Sequence, residues 1–195
     1  MKLIVISPEA EDAREPTVVA QLFAAGLNHY HLRKPAWGRS ALATFLRAVP
    51  AEFHPRFVLH SHHELAAYFR VGGLHFCDAD GPPSPLLRSR AAHDLRTLRI
   101  AANAYDRILF SPVFASISKP GYEPDPRIAP DELKAILAGS RRSEVIALGG
   151  VDRSRLPICH DIGFDGVAVL GAIWQSADPL QAFNELQQAL LAHAA

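Results

Sequence analysis

The segment EVIALGG, residues 144–150, decides the fold. Its centre is an uninterrupted apolar run that ends at two glycines, and GVAVLG at residues 166–171 repeats the pattern. A strand that is apolar at every position is buried on both faces, as parallel strands covered by helices are. These two segments therefore predict neighbouring parallel strands whose carboxyl ends meet at one edge of a sheet.

The same alternation of short apolar runs and helical patterns extends through the whole chain. Further strands are predicted in LIVIS at 3–7, HYHLR at 29–33, FVLH at 57–60, GLHF at 73–76 and RILFS at 107–111. SRAAH at 89–93 is a weaker candidate. Eight strands with intervening helices predict a compact (β/α)8 TIM barrel, and an open doubly wound sheet is the alternative. Because no linker divides the chain, we expect a single domain over residues 1–195.

Composition limits the classes of function. The 195 residues are 49% hydrophobic and carry no net charge, which predicts no bulk attraction to nucleic acid or to an anionic membrane. Cys77 and Cys159 are too few for a disulfide scaffold, so a reducing cytoplasm is expected. The apolar run at the N-terminus is too short for a signal peptide or a membrane span.

In barrels of this kind the active site lies at the carboxyl ends of the strands. The glycines that end strands seven and eight let backbone N–H groups approach a phosphate closely, although they also fit a tight turn. After strand six, hydroxyls and a lysine suggest an anion clamp, with a solvated polar loop as the alternative. The residues concerned are Gly149, Gly150, Leu170 and Gly171 in the first group, and Ser116, Ser118 and Lys119 in the second.

The segment FVLHSHHEL, residues 57–65, fits a metal site, a catalytic base, or a strand leading into a helix. Ser61 and Glu64 have the spacing of a capping box, and an extended strand would place His60 and His62 on one face. A zinc site is disfavoured because this spacing supplies two ligands at most without His31 or His93. Five other histidines are predicted to be structural or on the surface: His29, His54, His75, His160 and His193.

Six segments occur in the order of a known family: YHLRK at 30–34, VLHSHHEL at 58–65, GLHF at 73–76, LFSPVFASISKPG at 109–121, VIALGG at 145–150 and DGVAVLGAI at 165–173. With them the chain resembles the thiamine phosphate synthase family, which includes thiazole tautomerase paralogues. The resemblance implies a (β/α)8 barrel, usually dimeric, that binds a phosphorylated thiazole and an aminopyrimidine diphosphate. In the synthases the diphosphate ionises with Mg²⁺ bound, and the thiazole nitrogen attacks to give thiamine phosphate and pyrophosphate.

The resemblance also implies roles for individual residues. Asp80 matches a metal-binding aspartate, and we expect a weakened Mg²⁺ site there. Arg33 and Lys119 match family residues, and with His60, chosen for its place at the end of strand three, they are the predicted catalytic residues. The predicted substrate- and phosphate-binding residues are His31, Ser116, Ser118, Gly149, Gly150, Leu170 and Gly171.

Several positions depart from the family pattern. The strand-two glutamine is His31, and the motif's lysine position is Pro35, with Lys34 one place earlier. In the next strands, His60-Ser61 replaces Asn-Asp and Ala91 replaces a serine. The catalytic histidine of the tautomerases falls at Pro112. Three hypotheses therefore stay open: a synthase with altered metal and pyrimidine contacts, which we rank first, a tautomerase that uses His31, His60 or His93, and a phosphate-binding protein without chemistry.

Overall fold

The structure is a computed structural model that describes residues 1–77, 81, 83–117, 121 and 123–192. Eight parallel strands form a closed barrel in which each strand pairs with its neighbours in sequence order and β8 pairs with β1. The strands are β1 (Lys2–Ile6), β2 (His29–Leu32), β3 (Phe57–Leu59), β4 (Gly73–Phe76), β5 (Leu87–Ala92), β6 (Arg107–Phe110), β7 (Glu144–Leu148) and β8 (Gly166–Val169). The predicted (β/α)8 barrel is confirmed, and the open sheet is excluded by the β1–β8 pairing.

Helices follow the strands around the outside of the barrel. They are α1 (Glu15–Ala24), α2 (Arg39–Ala48), α3 (Leu65–Phe69), α4 (Leu95–Ala101), α5 (Pro130–Ala138), α6 (Leu156–Ile162), α7 (Gly171–Trp174) and α8 (Pro179–Ala192). Two short 3₁₀ helices span Ala51–Arg56 and Arg153–Arg155. Within the described ranges, no helix combines the length and the apolar character that crossing a bilayer requires.

The weak strand candidate is a full member of the barrel. In β5, Ser89 is in register with His75 of β4, and Ala91 is in register with Leu109 of β6. The strand looked weak because arginines at positions 88 and 90 interrupt its apolar run. The guanidinium of Arg88 lies 4.7 Å from the centre of the Tyr105 ring and donates to the Gly81 carbonyl at 2.8 Å.

Apolar side chains form two separate clusters because successive strand residues point to opposite faces. The larger cluster lies between the strands and the helices. The smaller one fills one side of the barrel interior and consists of Ile4, Ile6, Leu109, Ile146 and Ala168, with Leu148 and Leu170 against it. All of these residues belong to, or directly follow, β1, β6, β7 or β8. The β2–β5 side of the interior has a different, polar composition.

Charged residues occupy the opposite end of the barrel from the predicted site. Arg107, only 1% exposed, donates to Glu144 at 2.9 Å, and Lys2 pairs with the same carboxylate. These residues stand at the starts of β6, β7 and β1. Residues at this end of a TIM barrel usually serve stability.

Candidate active site at the carboxyl ends of the strands

A cavity of about 380 Å³ opens where the strands end. Seven of the predicted site residues line it: Arg33, His60, Ser116, Gly149, Gly150, Leu170 and Gly171. His31 is fully buried in β2 and is not part of the lining. Asp80, Ser118 and Lys119 lie outside the described residues, so their predicted roles stay predictions. The cavity therefore brings together predicted residues from five distant parts of the chain, all at the carboxyl ends of strands.

The turn after β7 has a backbone shape that favours glycine. Gly149 and Gly150 have φ angles of 95° and 63°, in the left-handed region. A Cβ on Gly149 would lie 2.8 Å from Cα of Pro112, and one on Gly150 would overlap the Ala115 carbonyl oxygen. The turn therefore presents bare backbone to the cavity beside Leu170 and Gly171, as a phosphate cup requires.

The loop after β6 packs directly on this turn. The N–H groups of Val113 and Phe114 donate to the carbonyls of Leu148 and Gly149 at 2.9 and 3.1 Å. Two backbone hydrogen bonds thus hold the loop that carries Ser116 next to the glycine turn. Of the predicted anion clamp, only Ser116 falls within the described residues, and it lines the cavity.

Arg33 is positioned by β1. The Ser7 hydroxyl accepts from the Arg33 N–H at 2.7 Å and donates to the Arg33 carbonyl at 2.9 Å. The guanidinium forms an ion pair with Glu9, which also lines the cavity. Arg33 is thus a partly exposed cation at the mouth of the barrel.

Lys34 lies away from the cavity, although it follows Arg33 directly. Its ammonium is fully buried, donates to Glu15 at 2.6 Å and to the Ala10 carbonyl at 3.0 Å, and lies 4.8 Å from the Trp37 ring centre. The Tyr30 hydroxyl donates to the other Glu15 oxygen at 2.7 Å. This lysine anchors α1 to the barrel and does not take the place of the family's displaced lysine at the site.

The capping-box prediction at Ser61 and Glu64 is wrong. α3 begins at Leu65, and Glu64 before it has helical backbone angles with no side-chain cap. The reason is His62, whose φ of 51° turns the chain so that its own carbonyl accepts the Leu65 N–H at 2.9 Å. Because β3 already ends at Leu59, His60 and His62 do not share a face, and the His62 ring contacts the Trp37 carbonyl at 3.3 Å.

His60 instead belongs to a cluster of three histidines on β2, β3 and β4. His31 Nδ1 and His60 Nε2 are 3.0 Å apart, and the rings of His60 and His75 stack with centres 4.0 Å apart. One ring nitrogen from each of the three can be chosen so that all lie within 4.8 Å of one another. His75, which the sequence predicts to be structural or on the surface, is buried and lines the cavity. Zinc was disfavoured because the segment supplies two ligands at most without His31 or His93, and the structure brings His31 into the cluster.

The three imidazoles are neutral at physiological pH. Burial lowers the pKa of His31 and of His60 well below the usual value, and the nearby His75 ring lowers both further. Burial likewise lowers the pKa of His75 to about 3. His31 Nε2 and His60 Nδ1 are buried without a hydrogen-bond partner. Such groups cost about 1–3 kcal/mol each, so the cluster is an unfavourable arrangement for packing alone.

His93 is the third histidine in the described lining of the cavity, after His60 and His75. Its Nδ1 lies 2.8 Å from the Ser111 carbonyl oxygen and 3.3 Å from the Ser111 hydroxyl. The carbonyl makes Nδ1 the protonated nitrogen, which leaves Nε2 as an acceptor. Sequence reasoning named His93 only as an alternative acid or base, since its strand was the weakest candidate.

The described lining fits Mg²⁺ poorly. Mg²⁺ prefers carboxylate and phosphate oxygens, and the described part of the lining offers one carboxylate, Glu9, which Arg33 already pairs with. Ser61 stands where the resemblance expects an aspartate. The expectation of Mg²⁺ thus depends on Asp80, outside the described residues.

Comparisons with known proteins agree with this geometry. The family model described as thiamine monophosphate synthase matches residues 3–173. Thiamine-phosphate synthase of Levilactobacillus brevis is 30% identical over 185 residues, covering 86% of this chain and 83% of the relative. The corresponding protein of Leuconostoc citreum is 27% identical over 184 residues, covering 87% and 85%. The crystal structure of thiamine phosphate pyrophosphorylase from Bacteroides thetaiotaomicron superimposes with a TM-score of 0.81 at 27% identity, covering 97% of each chain. The chain belongs to the thiamine monophosphate synthase family.

Proposed function

We propose that this protein joins an aminopyrimidine diphosphate to a thiazole phosphate, giving thiamine phosphate and pyrophosphate. The observation that carries the proposal is the convergence of Arg33, Ser116 and two glycine turns on one cavity. Similarity to two proteins named thiamine-phosphate synthase, over 86% and 87% of this chain, supports it. In this reaction a bond forms between the thiazole nitrogen and the pyrimidine methylene carbon, and the bond from that carbon to the diphosphate oxygen breaks.

The described residues suit the two anionic groups of such substrates. The glycine turns at Gly149-Gly150 and Leu170-Gly171 offer backbone N–H groups to the thiazole phosphate. Ser116 and the Arg33 guanidinium are placed to stabilise the departing pyrophosphate, whose negative charge grows as the bond breaks. Lys119 and Ser118 complete this clamp in our proposal. The largely apolar walls of the cavity would limit the access of water to the electrophilic pyrimidine carbon once both substrates fill it.

Direct product analysis tests the proposal. Purified protein is incubated with both substrates and Mg²⁺, and thiamine phosphate and pyrophosphate are quantified. We expect the two products in equal amounts. Arg33→Gln should lower kcat/KM at least tenfold, because it removes one charge-assisted contact in the transition state. Arg39→Gln is the matched control, because Arg39 is an exposed arginine of α2 paired with Glu64. Absence of product from a folded protein would contradict the proposal that it is a synthase.

The same preparation separates the alternatives. A binding protein would show phosphate-dependent thermal stabilisation without turnover. A tautomerase would convert the thiazole carboxylate phosphate without metal, and this activity would fall in a variant of His60 or His93.

Three further features follow from the resemblance and belong to the proposal. We propose Mg²⁺ as the metal for the diphosphate, with Asp80 as a ligand. Loss of turnover in chelator, restored by Mg²⁺, would support it. We also propose a homodimer, measurable by light scattering, and a cytoplasmic location, measurable by cell fractionation.

A further inference from the structure

The polar side of the barrel interior holds three imidazoles where the opposite side holds aliphatic side chains. His31 and His75 are 0% and 3% exposed, and His60 lies between them at the cavity. Imidazole nitrogen suits Zn²⁺, Cu²⁺ and related ions, whereas Mg²⁺ prefers oxygen. The cluster therefore calls for a different metal from the one that the resemblance implies.

Counting protons shows that the cluster has lone pairs to spare. A neutral imidazole has one N–H and one lone-pair nitrogen. The contact between His31 Nδ1 and His60 Nε2 uses one N–H and one lone pair. Whichever ring donates, the remaining N–H and the remaining lone pair fall on His31 Nε2 and His60 Nδ1, both buried without a partner. A metal bound by both rings therefore replaces this hydrogen bond, because breaking it frees the second lone pair.

Ser89 determines the tautomer of the third imidazole, that of His75. The Ser89 hydroxyl donates to the Leu74 carbonyl at 3.3 Å, so its oxygen accepts from His75 Nδ1–H at 2.9 Å. This leaves the lone pair of His75 on Nε2. A hydrogen bond that fixes the tautomer of a histidine is what metal-binding histidines ordinarily have.

We propose that His31, His60 and His75 form a transition-metal site, with Zn²⁺ the expected ion and an open coordination position toward the cavity. Tetrahedral Zn²⁺ places its ligand nitrogens about 3.4 Å apart, from Zn–N bonds of about 2.1 Å. One nitrogen from each ring can be chosen so that the three lie within 4.8 Å of one another, and small ring movements would bring them to this spacing. The proposal does not depend on thiamine phosphate synthesis.

Metal binding by the untagged, full-length protein tests this site. After chelator treatment and dialysis against Zn²⁺, elemental analysis should find about one ion per chain. Replacement by Co²⁺ should give the intense visible absorption of a four-coordinate site. Retention of no metal, or the weak absorption of six-coordinate Co²⁺, would overturn the proposal.

Variants locate the ion. His60→Ala and His75→Ala should abolish retention, and Ser89→Ala should weaken affinity about 10–100-fold in a competition with a chelating dye. His160→Ala is the control, since this ring is on the exposed side of α6, 3.6 Å from Asp161. An equal loss in His160→Ala, or unchanged affinity in Ser89→Ala, would contradict the site.

Two readouts cover the case in which a cluster variant does not fold. Thermal unfolding of each chelated variant shows first whether it is folded. Electron paramagnetic resonance of the Cu²⁺-loaded wild-type protein then counts coordinating imidazoles without any substitution. Three nitrogens support the proposal, and fewer than three overturn it.

Discussion

Replacing Lys34 by methionine should strongly destabilise the protein. The Lys34 ammonium and the Glu15 carboxylate are 0% and 1% exposed and 2.6 Å apart. Methionine has nearly the same length but no charge, so Glu15 would keep only the Tyr30 hydroxyl, at 2.7 Å, as a partner. Removing one member of a buried pair typically costs about 3–5 kcal/mol. For a chain of this length that lowers Tm by on the order of 10 °C.

The effect should depend on pH in a defined direction. Burial already raises the pKa of Glu15 above its usual value, despite the opposing hydrogen bond from Lys34. Without Lys34 the pKa of Glu15 rises further, so the folded variant binds a proton that the unfolded chain does not. Stability of the variant therefore falls as pH rises through this interval, and the Tm difference from wild type should shrink at acidic pH.

The test compares Lys34→Met with the double variant Lys34→Met/Glu15→Gln by urea and thermal unfolding at several pH values. The double variant removes the unpaired charge while keeping an acceptor for Tyr30, so it should recover part of the lost stability. A loss below about 1 kcal/mol, comparable to an exposed pair, would refute the reasoning. So would a loss independent of pH, or a double variant no more stable than the single one.

Three other outcomes are expected. Gly150→Ala should lower the free energy of unfolding in urea by at least about 2 kcal/mol, because a left-handed φ and the nearby Ala115 carbonyl oppose a Cβ. The same variant should raise the KM for the thiazole phosphate. Gly38→Ala is the control: its Cβ would meet no atom within 4 Å, so its stability should change by less than about 1 kcal/mol. The metal-free protein should lose at least about 2 kcal/mol of stability between about pH 6.5 and 5. The pKa values of His31, His60 and His75 are lowered in the fold, so in this interval the unfolded chain binds protons that the folded chain does not. A free energy of unfolding that stays constant over this interval would contradict the prediction. Saturating pyrophosphate should raise Tm in wild type by more than in Ser116→Ala, measured by calorimetry.

The fold could be predicted from local pattern because parallel strands buried on both faces leave uninterrupted apolar runs. β5 was the weakest candidate because Arg88 and Arg90 interrupt its apolar run, and the Tyr105 ring that Arg88 packs on is distant in sequence. α4 could have been predicted from its N-cap residue, Asp94. Asp94 caps this helix by accepting from the Thr97 N–H at 2.7 Å.

The site was only partly predictable. The strand-end rule found Arg33, His60 and the glycine turns, since it needs only the end of each strand. It missed His75, which stands one residue before the end of β4. Its contact with His60 depends on the stagger between neighbouring strands, and barrel closure sets that stagger. Likewise, the sequence around His62 does not predict its left-handed backbone conformation, which directs His62 away from His60.

Three of the positions that depart from the family pattern lie on one side of the barrel. His31, His60 and Ala91 belong to or directly follow β2, β3 and β5, and His75 of β4 lies among them. The turns after β7 and β8, by contrast, keep the glycines that the resemblance expects, and the structure gives Gly149 and Gly150 the backbone angles that favour glycine. A chain drifting after loss of function would accumulate changes on both sides of the cavity. The changes at His31, His60 and Ala91, on the side where three imidazoles converge, support the proposal of a different metal there, opposite the glycine turns.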